Sequence, residues 1–191
     1  MFSGCGGLDL GFKRAGFDIL WANDFDKDSI ETYTQNLGNH AVFGDITKIP
    51  SNEIPSDFDV LLGGFPCQDY SVATTLKNSK GLIGKKGVLW WSIHRILNEI
   101  KDKPTFLFLE NVDRLLKSPS SQRGRDFAVM LQSLNDLGYA VEWRVINAAD
   151  YGMPQRRRRV FFLGYKKDSK VYKQLKKSTP VDWLLKDGVI Q

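Results

Sequence analysis

The residue best suited to attack an electron-poor carbon is the cysteine in Gly63-Gly64-Phe65-Pro66-Cys67-Gln68-Asp69-Tyr70-Ser71. An ionised thiol is the strongest nucleophile a protein carries at neutral pH. The neighbouring residues would aim it. Gly63 and Gly64 allow a ligand to approach the backbone closely. Pro66 fixes its own backbone and restricts Phe65 before it. The apolar run from Phe58 to Leu62, with Asp59 inside it, reads as a buried strand that delivers the loop to the mouth of a cleft. Taken alone, Cys67 reads more readily as a small buried apolar residue, since most free cysteines are that.

Three acidic residues stand in comparable places. Asp24 closes an apolar stretch, Phe17 to Ala22, that reads as a strand. An acid at such a strand tip suits ribose hydroxyls, because a carboxylate accepts two hydrogen bonds. Asp24 would serve equally as the N-cap of a helix from about Lys27 to Gln35. Asp45 follows a short strand, His40 to Phe43, and Gly44. Glu110 follows Thr105 to Leu109, a near-continuous apolar run expected to be covered on both faces. The chain opens with Gly4, Gly6 and Gly7 before a helical pattern whose Leu8, Phe12 and Ala15 share a side. A glycine-rich turn entering a helix can cradle a nucleotide. Its spacing is not G-x-G-x-x-G, so a pyrophosphate is not indicated. Only Met1 and Phe2 precede it, where a buried strand is expected.

The remaining elements would position these groups. The polar stretch Thr74 to Gly87 reads as a loop closing over a substrate, or as plain surface. Val88 to Ile100 carries apolar residues at 89, 93, 96, 97 and 100, an amphipathic helix. A helix from about Gly124 to Leu137 leads to a strand from Tyr139 to Ile146. Arg156, Arg157, Arg158 and Arg159 run into the strand Val160 to Gly164, and its alternation would send Arg157 and Arg159 to one face. The lysine-rich tail from Lys166 to Gln191 shows only a short helix near Val171 to Leu175. Strand and helix alternate, so the fold is α/β, a doubly wound and mostly parallel sheet. Ligands bind such sheets outside the carboxyl ends of the strands. Gly4 to Gly7, Asp24, Asp45, Cys67 and Glu110 all fall there.

Composition bounds the partners. The length of 191 residues holds one α/β domain. No apolar run is long enough to cross a membrane, no secretory signal is visible, and two cysteines suggest no disulfide framework, so the cytoplasm is the expected compartment. No Cys/His cluster has metal-ligand spacing. A net charge of +5 suits a polyanion without requiring one.

Read in order, Phe2-Ser3-Gly4-Cys5-Gly6-Gly7, Asn23-Asp24, Gly44-Asp45-Ile46, Gly64-Phe65-Pro66-Cys67-Gln68, Glu110-Asn111-Val112 and Gln155-Arg156-Arg157-Arg158-Arg159 resemble the motifs of the cytosine-C5 DNA methyltransferases, the bacterial modification methylases among them. The resemblance runs from residue 2 to about 165. It implies the Rossmann-like sheet of the S-adenosylmethionine-dependent methyltransferases and a role in a restriction-modification system. The cofactor is then S-adenosyl-L-methionine, and the partner is double-stranded DNA whose target cytosine is flipped from the stack. Cys67 matches the nucleophile that adds to C6 of the base, and Glu110 the acid that protonates or bonds N3. Burial would help Glu110 to hold its proton. Arg157 and Arg159 match the arginines that hold the base and support the loop. Phe2, Ser3, Gly4, Cys5, Gly6, Gly7, Leu8, Asp24, Phe25, Asp45, Ile46, Gly64, Pro66 and Leu89 match cofactor contacts.

Two departures accompany the resemblance. The strand that in the family precedes Phe2 is absent from the sequence, and so are the target-recognition domain and closing helix that follow the arginines. The chain is therefore expected to be a catalytic domain over residues 1–165, incomplete at both ends, with a basic tail over 166–191 leading towards a recognition domain. It would be inactive alone and would need a complementing polypeptide. An RNA-directed relative, and a non-catalytic subunit of a split enzyme, are the alternatives.

Overall fold

The computed structural model describes residues 1–66, 88–117 and 123–189. Among them, six strands form two sheets. Strands β1 (Ala22–Asp24) and β2 (Ala41–Phe43) pair in parallel. Strands β3 (Val60–Gly63), β4 (Phe106–Val112), β5 (Tyr139–Asn147) and β6 (Arg158–Lys166) form the second sheet in the order β3-β4-β6-β5. The β3–β4 pair is parallel, and β6 is antiparallel to both its neighbours. In the larger sheet β3, β4 and β5 therefore run one way and β6 runs against them.

The first residues join the two sheets. The amino group of Met1 donates to the Leu62 carbonyl at 2.8 Å, and Ser3 N–H donates to the Asn23 carbonyl at 3.0 Å. Met1 to Ser3 thus form a short piece of backbone between β1 and β3. The glycine turn hangs from this piece, which supplies the tip of the strand expected before it.

The main core lies on one face of the larger sheet. Helix α1 (Gly7–Arg14) and helix α2 (Lys27–Leu37) belong to the first half of the chain; α3 (Val88–Glu99) and α4 (Arg125–Asp136) cover this core face. The apolar positions of α3 do as their spacing predicts: Ile93, Ile96, Leu97 and Ile100 are buried against Leu107 and Leu109 of β4. Fully burying a side chain of this size stabilises by about 1.5–3 kcal/mol. From α4 come Phe127, Met130 and Leu134. Trp90 satisfies its ring N–H on Ser133 Oγ at 3.2 Å, which ties α3 to α4. Gly124 and Gly138, both at positive φ, bound α4 on either side. Helix α2 starts where Asp26 accepts the Asp28 N–H, and it ends before Gly38.

Several expectations need correction. The segment Phe17 to Trp21 is not a strand; only Ala22 to Asp24 pair. Extended backbone becomes a strand where a ladder partner lies beside it, and β2 reaches back only to Ala41. Leu8 and Phe12 are half-buried and Ala15 is exposed, while the side chain that α1 does bury is Asp9. Its carboxylate accepts the Tyr33 hydroxyl at 2.7 Å, and that hydroxyl also meets His40 Nε2 at 3.0 Å. Burial, then the Asp9 bond, pushes the Tyr33 phenol far above its ordinary range. Glu110 lies within β4 and not beyond its end. Strand β4 alternates, with Leu107, Leu109 and Asn111 fully buried and Phe106, Phe108 and Glu110 half-buried. The tail is more ordered than its composition suggests. Helix α5 (Lys170–Leu175) covers the predicted 171–175, and a helical stretch (Pro180–Asp182) continues into a π-turn (Trp183–Asp187). Trp183 and Leu175 pack with Leu163 and Tyr165 on the second face of the sheet. Buried Glu142 holds the tail by accepting the Val189 N–H at 2.9 Å and the Tyr165 hydroxyl.

Candidate active site

Of the predicted site residues that the structure describes, Gly4, Asp24, Asp45, Gly64, Pro66 and Glu110 lie at or near the carboxyl ends of β1 to β4. Leaving β3, the chain passes through Gly64, Phe65 and Pro66. Phe65 is buried between Trp90 and Phe162, with ring centroids 5.4 and 6.4 Å away. Its carbonyl accepts Asn111 Nδ2 at 2.9 Å, and Asn111 Oδ1 accepts the Val112 N–H at 2.8 Å. Asn111 is 1 % exposed, so this side chain is an internal clamp between β4 and the loop. Cys67, the residue the clamped loop leads to, and the Thr74 to Gly87 stretch lie outside the described residues.

Glu110 is the next residue along β4. Its Oε1 lies 2.8 Å from Arg159 Nε, and both side chains are about four-fifths buried. Arg159 also donates from Nη1 to the Arg158 carbonyl at 2.8 Å. Glu110 is thus an ion-pair partner, and burial alone does not describe its environment. A side-chain carbon at Gly64 would lie 3.7 Å from both Glu110 Oε2 and the Phe2 carbonyl, which places the loop, the acid and the opening segment side by side. Arg158 turns outward to Asp113, with Nε to Oδ2 at 2.9 Å. Arg157 lies before β6 begins and is exposed, as is Arg156. Of the two predicted arginines, Arg159 joins Glu110 and Arg157 does not.

The other half of the site is built around Asp24. Its Oδ2 accepts the Gly4 N–H at 2.8 Å and its Oδ1 the Asp26 N–H at 3.0 Å. Asp26, not Asp24, caps α2. Each Asp24 oxygen retains a lone pair for a further donor. Phe2 adopts φ 54°, an unusual left-handed conformation for a side chain of this size. Ser3 Oγ is buried without a hydrogen-bond partner among the described residues. Gly6 has φ 86°, and a side chain there would strike Leu37 and lie 2.9 Å from the Tyr33 ring. Gly4 and Gly7 face open space. Cys5 is an exposed thiol 3.9 Å from Ser29 Oγ, and Leu8 is half-buried.

Asp45 Oδ1 accepts the Thr47 hydroxyl at 2.8 Å and the Thr47 N–H at 3.0 Å. Those bonds hold its carboxyl below the usual aspartate value. Behind it, buried Asn23 donates to the Val42 and Gly44 carbonyls at 3.0 and 2.9 Å. Arg95 reaches across from α3 to the Ile46 and Ile49 carbonyls, each at 3.0 Å. Ile46 itself is in the core, so its side chain is closed to a ligand. Phe25 and Phe43 are 67 % and 59 % exposed at this edge. Pro66 is half-buried, and Leu89 packs at the margin of the main core.

Asn23, Arg95 and Asn111 hold the site's backbone, and their roles were not read from the sequence. Asparagine at a strand end was the available signal for two of them. Arg95 carried none, since its partners lie 46 and 49 positions away.

The surroundings fit an adenosine-type cofactor with an amino-acid tail. Asp24 offers acceptors for ribose hydroxyls, Asp45 an ionised acceptor, and Phe25 an uncovered aromatic face. Ser3 Oγ and the glycine turn offer polar groups for the tail.

Comparison with known proteins decides the family. Residues 1–186 match the model of the C-5 cytosine-specific DNA methylases. The chain belongs to that family. This methylase chain is 50% identical over 195 residues to the type II methyltransferase M.Sau3AI of Staphylococcus aureus, covering 97% of the chain and 47% of the relative. To the type II methyltransferase M.Bsp6I of Bacillus sp. (strain RFL6) it is 39% identical over 168 residues, covering 87% and 51%. The chain thus spans about half the length of the curated relatives it matches. Among solved structures it superposes on the S. pombe Dnmt2 methyltransferase with a TM-score of 0.64 at 18% identity, covering 91% of this chain and 52% of that one. The Spodoptera frugiperda DNMT2 mutant gives 0.68 at 19% identity, covering 88% and 49%. At such identities the likeness is one of fold, and it agrees with the doubly wound sheet. Among the described residues, no helix is long and apolar enough to cross a membrane.

Proposed function

We propose that this chain is the catalytic region of a DNA (cytosine-5-)-methyltransferase of a restriction-modification system. The observation that carries the reading is the pairing of Glu110 with Arg159 beside a loop clamped by Asn111, at the strand ends where Asp24 and the glycine turn also lie. S-adenosyl-L-methionine is the cofactor in this reading, and it supplies an electrophilic methyl group. Phe2 to Leu8, Asp24, Phe25, Asp45, the Ile46 backbone, Gly64, Pro66 and Leu89 would hold it.

Cytosine C5 is a poor nucleophile. Addition of the Cys67 thiolate to C6 forms a C–S bond and moves the ring electrons to C5 as an enamine. A proton or a strong hydrogen bond on N3, supplied from Glu110, favours that addition. Arg159 fixes the Glu110 carboxyl so that its second oxygen, on the Gly64 side, faces the base. Arg157, exposed before β6, would complete its contacts only with substrate bound. After methyl transfer, loss of the C5 proton and departure of the thiolate restore the 5,6 double bond and release 5-methylcytosine. A base stacked in a duplex hides C6, so the target must leave the stack.

The family description names DNA, which favours DNA over RNA as the substrate. In this reading residues 1–165 form the catalytic domain and residues 166–191 lead towards target recognition, which a further segment or a complementing polypeptide provides. The cytoplasm is the proposed compartment.

The test is covalent trapping. A protein that carries residues 1–191 and methylates DNA is incubated with S-adenosyl-L-methionine and a duplex containing 5-fluorocytosine. Fluorine blocks the elimination, so the adduct persists. Mass spectrometry is expected to find it on Cys67. An adduct on Cys5, or none in a preparation active on ordinary DNA, overturns the assignment.

A further inference from the structure

We infer that a lysine ridge on helix α5 grips the phosphate backbone of duplex DNA, at a place apart from the cleft where the proposed chemistry occurs. Residues 166–177 hold six lysines and one aspartate. That excess equals the net charge of +5 of the whole chain, and it leaves 21 basic against 21 acidic residues elsewhere. The attraction for a polyanion is therefore concentrated in this one segment and not spread over the surface. Most charge runs are solvated and structureless, but this one is folded. Ser169 Oγ accepts the Tyr172 N–H as the cap of α5. The helical turns continue past Leu175, with the Lys176 and Lys177 N–H groups donating to the Tyr172 and Gln174 carbonyls at 2.8 and 3.1 Å.

Helical spacing sorts the segment into two sides. Val171, Tyr172 and Leu175 pack inward with Leu163 and Tyr165 of β6. Lys170, Lys173 and Lys177 fall opposite Leu175, with Lys176 on the flank, and all four are exposed. At 1.5 Å per residue the ridge is about 10 Å long. A duplex carries about six phosphates over that length. Lysines three and four residues apart repel one another, which disfavours a helix. The nearby acids do not relieve them. Asp168 pairs with Lys166 at 3.3 Å and Asp182 with Lys186 at 2.9 Å, and none of the four ridge lysines makes an ion pair among the described residues. Counter-charge therefore comes from outside the chain, and a duplex that binds there releases its own condensed counterions.

The ridge is remote from the cleft. Arg159 and Lys166 stand near opposite ends of β6, roughly 23 Å apart along the strand. The Lys166 N–H donates to the Thr105 carbonyl at 3.0 Å, just ahead of β4, whereas Glu110 and Arg159 meet near the far end of that strand. DNA held in the cleft reaches the ridge only by bending around the chain, which has an elastic cost. A second duplex segment reaches it without one. The ridge therefore holds a second segment, through phosphates and without sequence preference. Naming DNA as the polyanion rests on the proposed function. A lipid surface fits less well, because the apolar side of α5 is turned to the sheet and offers nothing to insert.

The test titrates the chain with a short fluorescent duplex of A·T pairs only, which offers the cleft no cytosine. It reads no methyl transfer, so it stands or falls apart from the proposed activity. Affinity is measured from about 50 to 200 mM salt. The combined changes Lys170→Gln, Lys173→Gln, Lys176→Gln and Lys177→Gln should lower the slope of log K against log salt by about two to four. Affinity at the low-salt end should fall about tenfold or more. A control with Arg14→Gln, Lys27→Gln, Lys48→Gln and Lys117→Gln removes the same charge elsewhere and should change the slope by less than about one. All eight side chains are exposed, so both variants keep the fold, which circular dichroism checks. Lysine acylation read by mass spectrometry should show Lys170, Lys173 and Lys177 protected by the duplex. An unchanged slope in the ridge variant, an equal loss in the control, or unprotected ridge lysines would each overturn the inference. So would tight binding to vesicles of phosphatidylcholine and phosphatidylserine by a chain that leaves the duplex unbound.

Discussion

Replacing Asn111 by alanine tests whether the loop at Gly64 to Pro66 is held from β4. Asn111 makes two bonds, to the Phe65 carbonyl at 2.9 Å and from the Val112 N–H at 2.8 Å. Asn111 and Phe65 are both buried, so the truncation leaves the Phe65 carbonyl without a partner in a dry place. An unsatisfied buried group costs about 1–3 kcal/mol. Val112 is half-buried, and its N–H should sit near the lower end of that range. The expected loss is about 2–4 kcal/mol, which lowers the urea midpoint by about 1–2 M. Asn111→Leu refills the volume and restores neither bond, so it should lose a similar amount. Asn111→Asp keeps the acceptor for Val112 and turns an oxygen towards the Phe65 carbonyl, so it should be no better than alanine. Urea unfolding of the four proteins is the assay. If alanine and leucine both stay within about 0.5 kcal/mol of the parent, water or a shifted backbone replaces the amide, and the clamp does not set the loop.

Asp24→Ala is expected to weaken S-adenosyl-L-methionine binding by about 1–3 kcal/mol, roughly 5- to 150-fold, because charge-assisted bonds to ribose and the anchoring of Gly4 are lost together. Titration calorimetry measures it, with DNA affinity at fixed salt as the control; equal cofactor affinity would reduce Asp24 to a fastener of the glycine turn. His94 gives a pH prediction. Burial lowers its pKa from the ordinary 6.5, opposed by the Asp136 carboxylate. As pH falls below 6.5 the unfolded chain takes up the proton first, so stability should decline from there until the folded-state pKa is passed. His94→Gln should flatten that decline in urea unfolding between pH 8 and 5, and an unchanged slope would show that His94 is not its source.

What was legible in the sequence follows from what each residue type must do locally. Glycine at the turn before α1 and the apolar spacing of α3 each declare a local requirement, and those two helices formed where expected, whereas β1 overlaps its expected span only at Ala22. The parts that were not legible depend on a neighbour across space. Phe17 to Trp21 has the composition of a strand and lacks a ladder partner, so its backbone stays irregular. Asp9 reads as a surface residue until Tyr33 is brought beneath the turn. Beyond its short helix the tail reads as weakly patterned because its order comes from Trp183 packing and from Glu142, more than forty positions before the Val189 N–H it holds.

The same distinction explains the division among the arginines. All four are alike by composition, and strand alternation had sent Arg157 with Arg159. Strand β6 begins at Arg158, and the Ala148 N–H donates to the Arg157 carbonyl at 3.0 Å where the β5–β6 connection closes. Strand β4 ends at Val112, the register partner of Arg159, so Arg157 has no β4 residue opposite it and is exposed. Arg159, register partner of Val112, falls beside Glu110, while Arg158 falls beside Asp113. Which arginine meets the acid is decided by register: Arg159 lies opposite Val112, two residues along β4 from Glu110 and on the same face.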